Sequence, residues 1–277
     1  MTGKKNKKKE KILDALIVGI RLMFFLWFPS LFATAFAGIK NLTETMAAGE
    51  MLEINSFVKT LAFLLLLTIF AGRIFCGYAC AFGSLGDFVY WCQTKIQKQR
   101  KKKTLRIPSK VTGILRYMKY LVLAGILMLC WFGKTDFITR LSPWPAFSLI
   151  HSRHFSAIPI GGAVLLVLVL IGMAWEPRFF CRFLCPMGAI FSLLPVMPWA
   201  VIHRRRSQCL KGCSACSRRC PAGIDIVDQE TGDIGNMGEC FSCGRCIRSC
   251  PRKNIHILPV GMRGAEEQAS NTTVSSR

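Results

Sequence analysis

The chain has 277 residues, 52% of them hydrophobic, with 37 Lys and Arg against 15 Asp and Glu, and 14 cysteines. At a mean hydropathy of +0.36 it is more apolar than a soluble domain, which holds about 45–50% apolar residues even with glycine counted, and it is too apolar to be disordered. The net charge of +22 implies nucleic acid only if the basic residues form one patch on a soluble fold, and the cysteines imply a disulfide scaffold only in a small secreted chain.

In chain order, residues 1–11 form a basic terminus carrying Lys4, Lys5, Lys7, Lys8, Lys9 and Lys11. Four stretches then approach the roughly 20 apolar residues that cross a bilayer. They run from Ala15 to Ile39, interrupted by Arg21 and Pro29; from Phe57 to Phe75; from Tyr117 to Phe132, with an amphipathic lead-in from Ile114; and from Ala157 to Trp175, which holds no charge. The first is apolar for too long to be a cleavable signal, and no small-residue cleavage site follows it. A fifth run, Phe183 to Ile202, contains Pro186, Pro195 and Pro198. Proline breaks helices, so this run reads as interfacial or re-entrant.

Basic residues orient the spans. They crowd the N-terminus, the segment 95–119 and the tail after Arg204, whereas the two other loops hold only Lys40, then Lys134, Arg140 and Arg153. This asymmetry predicts a multi-pass protein with both termini in the cytoplasm, which excludes nucleic acid as the partner and leaves membrane lipid as one. Arg204, Arg205 and Arg206 immediately follow the membrane part and are expected at anionic headgroups.

A repeat lies within the membrane part. Arg73-Ile74-Phe75-Cys76-x3-Cys80-x2-Gly83 aligns without gaps on Arg178-Phe179-Phe180-Cys181-x3-Cys185-x2-Gly188. Each copy follows the second span of a two-span hairpin, at the cytoplasmic membrane edge, as in a parallel repeat. On a helical turn, residues i and i+4 share a face, so each cysteine pair could hold a metal or exchange a disulfide; the bland alternative is buried packing. Packing is the reading for Cys92 and Cys130, which have no partner at useful spacing.

The tail reads Cys209-x3-Cys213-x2-Cys216-x3-Cys220-Pro221, then Cys240-x2-Cys243-x2-Cys246-x3-Cys250-Pro251. The second run has the bacterial two-cluster ferredoxin spacing, in which the fourth cysteine serves the other cluster; the first has one extra residue. Cys209, Cys213, Cys216 and Cys250 are then the ligands of one 4Fe–4S cluster, and Cys240, Cys243, Cys246 and Cys220 of the second. Zinc sites use two separated pairs instead, and disulfides are not expected in a cytoplasmic tail. Cys209-x3-Cys213-x2-Cys216 also fits a radical S-adenosylmethionine signature, but too little chain follows it for the barrel that chemistry needs. Arg218, Arg219, Arg245 and Arg248 are candidates for raising cluster potential, or form an ordinary solvated face. Residues 264–277 read as disordered, and their Asn271-Thr272-Thr273 sequon should stay unmodified in the cytoplasm.

On these motifs the sequence resembles the NapH-type ferredoxin-like membrane proteins, the quinol dehydrogenase membrane components, and the related NosR-like and polyferredoxin modules. The resemblance implies electron transfer between the quinone pool and a partner redox protein (a ferredoxin, flavoprotein or cytochrome) at the inner, cytoplasmic membrane. It also implies that Cys76, Cys80, Cys181 and Cys185 are redox-relevant, with a further metal or cluster among the options, and that the eight tail cysteines bind two 4Fe–4S clusters. Ala81 departs from the proline expected after the first membrane-edge motif.

The expected architecture is an all-α membrane protein of about four transmembrane helices in two repeated hairpins (12–202), a small α+β twin 4Fe–4S ferredoxin-like domain (203–263) and a tail (264–277). Its expected function is an iron–sulfur electron relay or a quinol dehydrogenase subunit. A redox-sensing or maturation factor for a neighbouring enzyme is the alternative. His151, His154 and Asp136 are candidate quinone or proton-handling residues, or else solvated helix ends.

Overall fold

A computed structural model describes residues 2–28, 30–49, 51, 55–101, 109–154, 157–195, 200–205, 209–210, 212–229, 232–234 and 238–259. The expectations for residues 264–277, and for Lys102, Lys103, Arg106, Arg206, Lys211 and Arg263, fall outside them. The chain is mostly helical, with one two-stranded antiparallel sheet. It divides into two compact units, one within the bounds Met1–Asp14, Leu66–Gly77 and Ser192–Arg277, the other within Ala15–Leu65 and Tyr78–Phe191.

The apolar stretches do not become four equal helices. The first is broken into α1 (Thr2–Trp27) and α2 (Leu31–Ala48), bent by 57° where the sequence carries Pro29, which lacks the donor a continuous helix needs. The second and fourth give α3 (Ser56–Ala71) and α9 (Ile160–Trp175), 16 residues each. At about 1.5 Å per residue such a helix falls short of a hydrocarbon core about 30 Å thick. The third joins α5 (Ser109–Leu115) to α6 (Met118–Trp131), and its Val111–Trp131 portion, 21 residues, is long and apolar enough to cross a membrane. The described residues thus hold one such helix, or two if the bent pair counts as one span.

Proline sets several boundaries in the larger unit. Glu176 ends α9 in an extended conformation (φ −126°, ψ 132°) because Pro177 follows and disfavours the helical region. Pro143 opens α8 (Pro143–His151) and Pro186 opens α11 (Pro186–Leu193), a first-turn position where a missing donor costs nothing. The fifth apolar run is accordingly not one element: it closes α10 (Phe179–Phe183), forms α11 and, past the undescribed 196–199, enters strand β1 (Ala200–Arg204).

The core of this unit is aromatic. Phe36 meets Trp144 at 4.5 Å between ring centroids, Phe82 meets Phe147 at 5.0 Å and Phe180 at 5.1 Å, and Phe32 meets Trp144 at 5.7 Å. Edge and tilted contacts of this kind add to the burial itself. They join α2, α8 and α10, which holds Cys181, to α4 (Ala81–Gln99), which Cys80 immediately precedes.

In the other unit β1 pairs with β2 (Ile255–Pro259) in the register Ile202↔Ile257 and Arg204↔Ile255. A bridge between His203 and Asp233 extends the sheet edge, and Nδ1 of His203 lies 2.8 Å from the Asp233 carboxylate. Two five-residue helices, α12 (Ala215–Arg219) and α13 (Arg245–Ser249), pack together.

Candidate metal centres

Both tail runs fold the same way locally. Cys216 lies in α12 and Cys246 in α13, while Cys220 (φ −71°, ψ 117°) and Cys250 (φ −77°, ψ 114°) end those helices. Pro221 and Pro251 drive the preceding cysteine out of the helical region, so the fourth cysteine of each run leaves its own helix. Ser217 ties down the following segment: its hydroxyl donates to Asp225 at 3.0 Å and accepts the N–H groups of Ile226 and Val227 at 2.9 and 3.2 Å.

Two cavities result. One, of about 90 Å³, is lined by Cys209, Cys213, Cys216 and Cys250, with Arg204, Arg252 and Asn254 among its other walls. The other, of about 20 Å³, is lined by Cys240, Cys243, Cys246 and Cys220, with Ile202, Ile226, Ile234 and Phe241. Each draws three cysteines from one run and the fourth from the other. Among the described residues, no three His, Cys, Asp or Glu side chains converge on a position for a single ion.

Electrostatics bear on what the cavities can hold. Burial pushes the Cys240 thiol up to about 12, against the Ser242 N–H and, more weakly, Arg73, and its neighbours Cys243 and Cys220 push it further in the same direction. The Cys246 thiol is raised by burial and then by Cys240, Cys243 and Cys220. Such a group of thiols ionises together only when a positively charged centre takes the place of the protons. A four-thiolate donor set suits an iron–sulfur cluster or zinc, so the residues present fit the group that the sequence implies.

The smaller cavity has a tight wall. A Cβ on Gly77 would come within 2.4 Å of the Phe241 carbonyl oxygen and 3.6 Å of Cys243 Cα, and backbone cannot yield as a flexible side chain does. Gly77→Ala is therefore expected to displace the Cys240–Cys243 loop and to lower iron at that site while sparing the other, as read by iron content and EPR of the purified protein.

The cysteines of the two repeat copies are all buried, Cys76 at 8% exposure and Cys80, Cys181 and Cys185 at 5% each. They do not form i, i+4 pairs on single α-helical turns. Cys76 lies in a π-helical turn, Phe75–Ala79, and Cys80 is extended (φ −69°, ψ 119°) at the start of α4. Cys181 is in α10, whereas Cys185 sits between α10 and α11 and accepts the Gly188 N–H at 3.2 Å. A Cβ on Gly188 would meet the Cys181 carbonyl oxygen at 3.1 Å, a physical reason for the glycine in the second copy.

The repeated arginines, Arg73 and Arg178, are each 1% exposed. Arg178 donates to Asp87 through Nη2 at 2.9 Å and Nε at 3.3 Å, and Arg21 donates to the same carboxylate at 2.9 Å. Arg73 lies 3.9 Å from Glu239. A second buried pair joins Arg182 to Glu176. None of these acids is distinguished by local sequence; the nearest signal for Asp87 is that it is one of few acids amid apolar and basic residues.

The remaining candidates are dispersed. His151 is half-buried against Phe25, with ring centroids 6.0 Å apart; His154 is exposed, its Nδ1 2.9 Å from the Ser152 carbonyl; Asp136 is exposed in the first turn of α7 (Thr135–Leu141). Cys130 is buried and Cys92 half-buried. Arg204 corrects an expectation. It is 5% exposed, and its Nη2 donates to the carbonyls of Val227 and Gln229 at 3.3 and 3.4 Å, so it faces the protein interior rather than lipid headgroups.

The 4Fe–4S binding domain family matches twice, at residues 58–101 and 157–205, one match over each copy of the repeat. NapH of Haemophilus influenzae, a ferredoxin-type protein, is 25% identical over 76% of this chain and 70% of its own length. The chain is thus similar to the ferredoxin-type NapH proteins and carries two 4Fe–4S binding domain matches. Other relatives are also described as ferredoxin-type, among them MauN of Methylobacillus flagellatus, 26% identical over 64% of this chain and 58% of its own length. Protein NirI of Paracoccus denitrificans is 30% identical over 64% of this chain, which spans only 25% of NirI. An uncharacterized protein of Methanocaldococcus jannaschii is 26% identical over 83% of this chain and 89% of its own length. No solved structure matches.

Proposed function

We propose that this chain is a NapH-type polyferredoxin, a multi-pass protein of the inner membrane that relays electrons between the quinone pool, or a cytoplasmic donor, and a partner redox protein. The carrying observation is the crossed sorting of eight cysteines into two cavities. Cys209, Cys213, Cys216 and Cys250 would hold one 4Fe–4S cluster, and Cys240, Cys243, Cys246 and Cys220 the other. Bound there, each cluster supplies one-electron chemistry that no side chain of the protein has. The chain's own part is to exclude water with Ile202, Ile226 and Phe241, and to fix the thiolates at the ends of α12 and α13.

Four spans with both termini in the cytoplasm complete the proposal. Large apolar residues on α6 and α9 support it by facing outward, Leu121 at 71% and Leu168 at 57% exposure, a surface suited to lipid. The domain family that covers Cys76, Cys80, Cys181 and Cys185 supports a redox or metal role for them as the next relay.

The test is anaerobic purification in detergent with iron and acid-labile sulfide counts, then EPR after dithionite and after a menaquinol analogue. About eight irons per chain are expected for two four-iron clusters, with reduction by both agents. Fewer than four irons, or zinc in their place, would overturn the cluster assignment. Reduction by dithionite but never by the quinol would redirect the donor to the cytoplasm.

A further inference from the structure

The two cavities carry the same thiolate set but different surroundings. The larger counts the buried Arg204 among its lining residues, together with the exposed Arg252 and the buried Asn254. Among the described residues, the smaller is lined by cysteines and by Ile202, Pro221, Ala222, Ile226, Ile234, Phe241 and Gly244, with no charged side chain. Arg73 reaches Cys240 as the weakest of its influences, and it lies 3.9 Å from the Glu239 carboxylate.

Reduction adds one negative charge to a cluster that four thiolates already make anionic. A fixed cation in a poorly solvated wall favours the added electron, and net charge is one of the levers that sets cluster potential. Hydrogen bonds to sulfur are another such lever, but they occur on both sides: the Asn254 N–H donates to Cys250 at 3.4 Å, and the Ser242 and Ile247 N–H groups face Cys240 and Cys246. Among the described residues, the linings differ instead in their charged residues, Arg204 and Arg252 at the larger cavity against none at the smaller. The Arg204 side chain donates to Val227 O and Gln229 O, and its backbone N–H to Gly232 O at 2.8 Å. It therefore cannot swing into solvent as a surface arginine would.

We propose that Arg204 makes the Cys209–Cys213–Cys216–Cys250 site the more readily reduced of the two, so that an electron delivered to the tail rests there. The inference depends on the twin-cluster proposal above. Arg204 acts as a tuning residue through its charge and contributes no ligand.

The experiment is an EPR-monitored redox titration of the full chain in detergent, under anaerobic conditions, for wild type, Arg204→Gln and Arg204→Lys. Cys213→Ser and Cys243→Ser each alter the spectrum of their own site and so assign the two signals. In wild type, the signal that Cys213→Ser alters is expected to reduce first. Arg204→Gln should make that site at least tenfold harder to reduce, about 59 mV for one electron, and leave the other in place, while Arg204→Lys should restore most of the shift. A wild-type order in which the Cys243-dependent signal reduces first overturns the proposal, even if Arg204→Gln loses iron. So does an Arg204→Gln titration that moves both sites equally or neither, or an Arg204→Lys that behaves as Gln, which would mark a purely structural role. Iron below about four per chain in wild type would instead sink the cluster assignment itself.

Discussion

Cys220→Ala is expected to destroy the iron–sulfur site of Cys240, Cys243 and Cys246, and to spare that of its nearer chain neighbours Cys209, Cys213 and Cys216. Cys250→Ala should do the reverse. The grounds are geometric: Cys220 lines the cavity of the second run and Cys250 that of the first, because each is pushed out of its short helix by the proline that follows. A cluster deprived of one of its four thiolates is labile. Each variant should fall from about eight irons to about four, losing one of two EPR signals, and the surviving signal should differ between the two variants. If Cys220→Ala instead removed the signal that depends on Cys213, the runs would be acting as separate four-cysteine sites and the crossed arrangement would be wrong.

What could be seen in the sequence was whatever is local. The tail spacing needs only a few residues of context, and the repeat around Cys76 and Cys181 needs only two aligned strings; the family match over each copy agrees with that repeat. What escaped was set by partners distant in the chain. Asp87 acquires its place from Arg21 and Arg178, 66 and 91 residues away. Arg204 sits in a run of three arginines that reads as a solvated surface, and only the carbonyls of Val227 and Gln229 make it an interior residue. Pro29 signalled an interruption of the first apolar stretch, but proline chemistry alone does not distinguish a mild kink from the 57° bend between α1 and α2. The cysteine motifs likewise fixed spacing without backbone form: a π-helical turn in one copy and a five-residue α-helix in the other satisfy the same four-residue separation.

The largest loss of stability is expected from Asp87→Asn. One carboxylate serves two guanidiniums there, with side-chain exposures of 9% for Asp87, 13% for Arg21 and 1% for Arg178. Amide replacement takes from both cations the carboxylate they share, and removing one partner of a buried pair costs about 3–5 kcal/mol. A second cost is conformational. Arg178 holds a left-handed backbone (φ 55°, ψ 37°) at the start of α10, which a non-glycine residue keeps only while its surroundings over-determine it, at about 1–3 kcal/mol. Three residues later comes Cys181, so loosening Arg178 should also expose that cysteine. The expected results are a clear fall in the detergent melting temperature and faster alkylation of Cys181 by a thiol reagent, with tail iron unchanged. Adding Arg178→Gln to Asp87→Asn removes one of the two cations that shared the carboxylate, so the double variant should be less destabilised than the sum of the two single changes, a coupling that a double-mutant cycle measures directly. Strict additivity, or an Asp87→Asn protein that melts with wild type, would mean that the three side chains share space without sharing energy.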